Sequence, residues 1–123
     1  MGVGIAFLRP REDGTWEGNY VSYSYSTFGE FQQLLISLKG MLYFLSFREE
    51  EYDVDVGDGE PPYPAWVTPE LAEELEEWRK KDAPSLLEAL GQIPPDQLED
   101  YLIPLKAAIE RHLLEGYAII VSY

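Results

Sequence analysis

The chain has 123 residues, no cysteine, and 23 acidic residues against nine lysines and arginines, for a net charge of −14 at pH 7. This length suits one domain, and the missing cysteines exclude disulfides, thiolate metal ligands and cysteine nucleophiles. The charge disfavours binding to nucleic acid and to anionic membrane surfaces.

Two strands are predicted near the N-terminus. Val3 to Arg9 is apolar on both faces, which is typical of a central strand. Tyr20 to Ser26 alternates bulky residues with serines, which indicates a second strand. Residues 10–14 have turn chemistry, so we expect these two strands to pair antiparallel.

A first helix is predicted from Phe28 to about Lys39, because its apolar residues recur at helical spacing. Thr27 and Glu30 fit a capping box at its start. Residues 41–47, MLYFLSF, could continue this helix or form a buried strand, since periodicity cannot separate the two. We favour the strand.

The middle of the chain predicts a strand end, a loop and two helices. Residues 49–66 alternate at first and then contain glycines and three prolines, which favours an extended loop. Thr68 and Pro69 are typical of the cap and first position of a second helix. Ser85 and Glu88 predict a separate short helix that ends at Gly91.

The C-terminal part predicts a helix and a strand. The helix begins near Leu98, is kinked or divided at Ile103 by Pro104, and ends at Gly116. Residues 117–123, YAIIVSY, form a final strand. The order β-β-α-(β)-α-α-α-β predicts one acidic α+β domain over residues 1–123, with a small antiparallel-rich sheet covered by helices.

Localisation is predicted from what the sequence lacks. The N-terminus has no basic residue before its short apolar run, so we expect no signal peptide. The most apolar segment, residues 41–47, is too short to span a bilayer. These features and the absence of cysteine predict a soluble, cytoplasmic protein without membrane contact.

No metal site or cofactor site is predicted. Asp53, Asp55, Asp58 and Glu60 resemble a calcium-binding loop, but a loop starting at Asp53 has the wrong residues at positions 5, 6 and 12. A solvated acidic loop explains the same residues. No Walker-type or dinucleotide-binding glycine pattern occurs.

Catalysis is not indicated either. His112 is the single histidine, it lies near the C-terminus of the predicted last helix, and no G-x-S-x-G sequence accompanies it. We expect a structural role, with the helix dipole favouring the protonated ring. No catalytic residue is therefore predicted.

The acidity is regional. Residues 49–100 contain seventeen acids and three bases and so carry the whole net charge. Aromatic residues Trp16, Tyr20, Tyr23, Tyr25, Tyr63 and Trp66 are expected mostly in the core, with Tyr63 and Trp66 the least so. Tyrosine and tryptophan dominate binding hot spots, so an aromatic rim beside acids suits an interface for a basic protein.

The sequence therefore favours a non-enzymatic binding protein whose acidic region 49–100 docks a basic protein partner. Immunity proteins and nucleic-acid mimics use this electrostatic principle, an analogy in charge and size only. The predicted contact residues are Glu49, Glu50, Glu51, Asp53, Asp55, Asp58, Tyr63 and Trp66. The alternative is a small enzyme or ligand-binding domain with a carboxylate or aromatic pocket.

Self-association depends on the last strand. If residues 117–123 lie at the edge of the sheet, a homodimer could pair through them. Repulsion between two acidic subunits opposes this, so a monomer is favoured.

Overall fold

The protein folds around one six-stranded mixed sheet, seen in a computed structural model that describes residues 2–39, 45–46, 49–55 and 57–122. The sheet has the order β3-β6-β1-β2-β5-β4, with strands β1 (Gly2–Pro10), β2 (Trp16–Ser24), β3 (Leu45–Ser46), β4 (Tyr52–Val54), β5 (Tyr63–Val67) and β6 (Ala118–Ser122). The α-helices of these residues are α1 (Tyr25–Lys39), α2 (Pro69–Gly91) and α3 (Ile103–Leu114). The predicted α+β class and order are confirmed.

Strand β1 forms the centre of the core. Every residue from Val3 to Leu8 is buried, and β1 pairs antiparallel with β2 on one side and with β6 on the other. Helix α3 covers the face that carries Phe7, whose ring stacks on His112 with centroids 3.7 Å apart. The predicted β1–β2 hairpin is confirmed.

Strand β6 is not an edge strand. It lies between β1 and β3, and its pairing with Leu45 and Ser46 of β3 is parallel. The homodimer considered above required residues 117–123 to lie at the edge of the sheet, and β6 does not lie there. The two residues of β3 form a strand, as favoured above, and the rest of the predicted strand at 41–47 lies outside the described residues.

Helix α1 begins earlier than predicted. Tyr25 is its first residue, and the Ser24 hydroxyl accepts a hydrogen bond from the Thr27 amide at 3.2 Å. The predicted capping box of Thr27 and Glu30 is wrong, because serine three residues before Thr27 caps the helix instead. Glu30 is thus left for another contact.

Helix α2 begins as predicted and runs further. The Thr68 hydroxyl accepts from the Leu71 amide at 3.2 Å, and Pro69 occupies the first turn, where its missing N–H is harmless. The helix then continues through Pro84 to Gly91. The separate helix predicted from Ser85 is wrong, since buried Leu86, Ala89 and Leu90 continue the apolar stripe of the same helix.

The predicted division of the last helix at Ile103 is confirmed. Residues 95–97 and 100–102 form two 3₁₀ turns, and α3 starts at Ile103 with Pro104 in its first turn. Gly116 follows α3 with φ of +90°, a conformation that favours glycine. Arg9 and Arg79 donate to the carbonyls of Glu115 and Gly116, both at 2.7 Å.

The proline-rich segment holds a strand that the sequence analysis missed. Residues predicted as an extended loop include β5, which pairs antiparallel with both β2 and β4. Pro64 lacks an N–H, but its carbonyl still accepts from the Asp55 amide at 2.8 Å. Within the described ranges, no helix is long and apolar enough to cross a membrane.

Candidate functional site

The acidic hairpin, defined here as residues 49–67, forms one end of the sheet. It consists of a 3₁₀ turn at Glu49–Glu51, strand β4, a connection and strand β5, and its sequence holds seven acids and no base. Tyr52 and Val67 are opposite each other and buried, so one face of the hairpin anchors it to the core. The other face is directed away from that anchor because side chains alternate along a strand.

That outer face carries an aromatic side chain among carboxylates. Asp53 is directly opposite Trp66 in the antiparallel pair, so their side chains are neighbours on one face. Trp66 is 56% exposed, and Asp53 is exposed as well. Asp55 is exposed and lies two residues beyond Asp53, on the same face of the strand.

The other predicted contact residues are distributed unevenly. Glu50 and Asp58 are exposed, whereas Glu51 and Tyr63 are half-buried. Glu49 is the first residue of the 3₁₀ turn. The structure thus brings Asp53, Asp55 and Trp66 together, with the remaining acids in the flanking turn and connection.

The basic side chains that form ion pairs in the described ranges do so with acids outside the acidic hairpin. Glu17 of β2 accepts hydrogen bonds from Arg9 at 2.6 Å and from Arg11 at 3.2 Å. Burial raises the pKa of Glu17, but these two arginines outweigh it and leave the pKa below the ordinary value. Arg79 pairs with Glu76 at 2.7 Å. Across the described ranges no ion pair includes an acid of the acidic hairpin.

The calcium-like residues do not converge in the described part of the chain. There, no group of three or more histidine, aspartate or glutamate side chains lies close enough to hold a metal ion. Alternation keeps Asp53 and Asp55 on the strand face, while Asp58 lies in a bend of the connection.

His112 packs within the core. It is 4% exposed, stacks on Phe7 and meets Tyr117 edge-on with centroids 5.2 Å apart. Its Nδ1 lies 2.6 Å from the Ala108 carbonyl, which can only accept, so Nδ1 carries the proton. Burial lowers the pKa of His112, so the expected dipole-stabilised cation is wrong and the neutral ring is favoured.

A groove that sequence reasoning missed lies between α1 and the two 3₁₀ turns before α3. Its volume is about 620 Å³. Helix α1, the two turns and Glu99 between them supply ten lining residues: Tyr25, Ser26, Gly29, Glu30, Gln33, Leu34, Ser37, Gln97, Glu99 and Leu102. We call it the α1 groove.

Tyr101 joins the two walls of the α1 groove. Its hydroxyl donates a short hydrogen bond to Oε2 of Glu30, and this bond raises the pKa of Tyr101 to about 12. The Tyr101 side chain is 49% exposed. Tyr101 lies in the 3₁₀ turn at residues 100–102, before α3 begins at Ile103.

The prediction that most of the six aromatic residues lie in the core is wrong. Trp16, Tyr23 and Tyr63 are half-buried, and the other three are exposed. Tyr25 belongs to α1 and not to the second strand, which places its ring, 42% exposed, on the α1 groove.

Comparison with protein families, curated proteins and solved structures finds no match to the chain.

Proposed function

We propose that this chain is a monomeric, cytoplasmic, non-enzymatic binding protein whose acidic region, residues 49–100, docks a basic protein partner. One observation carries the proposal: Trp66 is 56% exposed and lies opposite Asp53 on a hairpin with no base in its sequence. Tryptophan is enriched among binding hot spots, so an exposed tryptophan among acids supports a contact with a basic partner.

In this proposal the acidic side chains affect the association rate, and Trp66 affects the dissociation rate. The summed field of an acidic region steers a basic partner toward it and raises the association rate. Contact with Trp66 then buries apolar area and slows dissociation. Anchoring by buried Tyr52 and Val67 keeps the hairpin in place before binding, which lowers the ordering cost.

The titratable groups give little support to the enzyme alternative. A general acid among carboxylates needs a raised pKa, but hydrogen bonds and cations lower the pKa of Asp13, Glu17 and Glu77. His112, the single histidine, is buried against Phe7. Neither arrangement offers a proton to a substrate.

Site-directed cross-linking tests the proposal directly. The chain has no cysteine, so Asp53→Cys creates a unique thiol that a benzophenone maleimide can label. In an extract of the cells that make the protein, we expect a covalent adduct with a basic protein at low salt. Its yield should fall at high salt, because screening weakens steering beyond about 10 Å at 0.1 M.

The matched control is Glu12→Cys, also exposed but in the turn between β1 and β2. We expect no such adduct from this position. Equal labelling from both positions, or adducts with acidic proteins only, contradicts docking at the acidic hairpin. Mass spectrometry of the adducts identifies the partner and its isoelectric point.

Binding kinetics then separate steering from packing. Glu50→Gln, Asp53→Asn and Asp55→Asn together should slow association with the cross-linked partner by about tenfold at low salt, since steering contributes factors of about 10–10³. Trp66→Ala should leave association nearly unchanged and speed dissociation by about tenfold or more, as hot-spot truncation costs about 2 kcal/mol. Surface plasmon resonance at several salt concentrations measures both rates.

The control is a triple variant with the same change of net charge inside region 49–100 but outside the acidic hairpin: Glu73→Gln, Glu74→Gln and Glu88→Gln, on the exposed side of α2. It tests whether the hairpin, and not the region as a whole, is the point of contact. A smaller effect is expected there. If the hairpin variant associates as fast as the unmodified protein, electrostatic docking is wrong and the acidity serves solubility.

A further inference from the structure

We propose that the α1 groove binds a small organic cation, an ammonium group carried on an apolar body. This site is separate from the acidic hairpin and does not depend on a protein partner. The proposal rests on the size of the groove, on its charge and apolar surface, and on a glycine that leaves it open.

The size of the groove suits a small molecule. Its volume of about 620 Å³ lies within the range of roughly 300–1,000 Å³ that ligand sites occupy. Leu34 of α1 is half-buried and Leu102 is buried, and both line it. Such a groove, with a few polar groups around an apolar base, is typical of a binding site for a molecule with an apolar body.

The charge of the groove selects a cation. Glu30 and Glu99 are its charged lining residues, and none of its ten lining residues is basic. Both carboxylates are exposed to the solvent of the groove, so an ammonium ion could reach them without displacing a protein cation. The exposed ring of Tyr25 lines the same space and can face a cation.

Tyr101 positions one of these carboxylates. Its hydroxyl donates to Oε2 of Glu30, which holds the side chain across the groove and leaves Oε1 as an acceptor. The bond to Glu30 also raises the pKa of Tyr101 to about 12. The hydroxyl is protonated at neutral pH, as an ordinary tyrosine is, and can donate. A carboxylate held in this way loses less side-chain freedom when it binds an ammonium group.

Gly29 keeps the groove open. It lies within α1, where alanine is a better helix former, and its backbone does not have a positive φ. A Cβ atom built at Gly29 has no atom within 4 Å, so no contact with the rest of the protein demands glycine there. Because Gly29 lines the α1 groove, a side chain at this position would fill the space that a ligand needs.

The test uses 2-phenylethylamine as the probe and 3-phenylpropionate as its counterpart of opposite charge. Titration followed by amide chemical shifts should show saturable shifts at Gly29 and Leu34 with the amine and none with the carboxylate. Glu30→Gln and Glu99→Gln should each weaken binding by about tenfold, the worth of one charged hydrogen bond. Glu88→Gln, an exposed change on α2, should leave the affinity unchanged.

Gly29→Leu provides the decisive variant. We expect it to abolish binding of the amine while the melting temperature stays the same or rises, because leucine favours the helix. Gly29→Ala gives a smaller obstruction, and its measured affinity keeps the test valid if the leucine variant does not fold. The proposal is overturned if the amine gives no saturable shifts at millimolar concentration, if the carboxylate binds equally well, or if the leucine variant binds unchanged. None of these outcomes bears on the acidic hairpin.

Discussion

His112→Ala is expected to lower the free energy of unfolding by about 3 kcal/mol, in the range for truncating a buried ring. The side chain is 4% exposed and stacks on Phe7 at 3.7 Å, with the Tyr117 ring at its edge. Alanine removes both ring contacts and the hydrogen bond to the Ala108 carbonyl. Urea unfolding at pH 7.5 measures the loss. A change below about 0.5 kcal/mol would contradict the structural role of His112.

The same ring should make stability depend on pH. Burial lowers the pKa of His112 in the folded protein, so the unfolded chain, with an ordinary pKa of about 6.5, binds the proton more readily. Stability from this group is therefore complete above pH 6.5 and is lost as the pH falls toward the folded pKa. Below that pKa the loss levels off.

His112→Phe is the matched control for this pH dependence. It keeps a ring against Phe7 but cannot take up a proton, so its stability should lack the loss below pH 6.5. Carboxylates titrate in both proteins, and the difference between the two unfolding curves isolates the histidine. Parallel curves from pH 7.5 to 5 would show that the ring titrates alike in the folded and unfolded chains.

Local patterns predicted much of the fold, because its elements follow local rules. Each correct prediction depends on residues that are close together in the sequence. Examples are the alternation of β2, the start of α2 at Thr68–Pro69 and the division at Ile103. The pattern of Ser85 and Glu88 wrongly predicts a new helix, because these two residues match the sequence of a capping box inside α2. Burial of Leu86 and Leu90 against the core decides for one helix, and a tertiary contact of this kind is absent from a local pattern.

The two candidate sites differ in the same way: the acidic hairpin is local in the sequence, and the α1 groove depends on long-range packing. The acidic hairpin could be found from the sequence, because its seven acids and Trp66 lie within nineteen consecutive residues. The α1 groove could not, since Glu30 and Tyr101 are 71 residues apart. Only the packing of α1 against the 3₁₀ turn at residues 100–102 brings them together. The position of β6 inside the sheet likewise depends on a long-range pairing with β3.

Gly18→Ala is expected to lower the free energy of unfolding by about 3 kcal/mol, at the upper end of the cost of overpacking a core. Gly18 is buried in β2 opposite Leu8. A Cβ atom there would lie 2.6 Å from the Phe7 carbonyl oxygen and 2.7 Å from Leu8 Cδ2. Relief requires movement of the β1 backbone, which is buried between β2 and β6 and resists displacement.

Gly29→Ala is the control of opposite sign for this substitution. The same methyl group meets no atom at Gly29, so the better helix propensity of alanine should raise the free energy of unfolding by about 1 kcal/mol. Intrinsic propensity alone would make alanine favourable at both positions, since glycine weakens strands as well as helices. Urea unfolding of the two variants therefore tests the packing of β2 against β1. If Gly18→Ala is neutral or stabilising, the close approach of these strands at Leu8 is wrong.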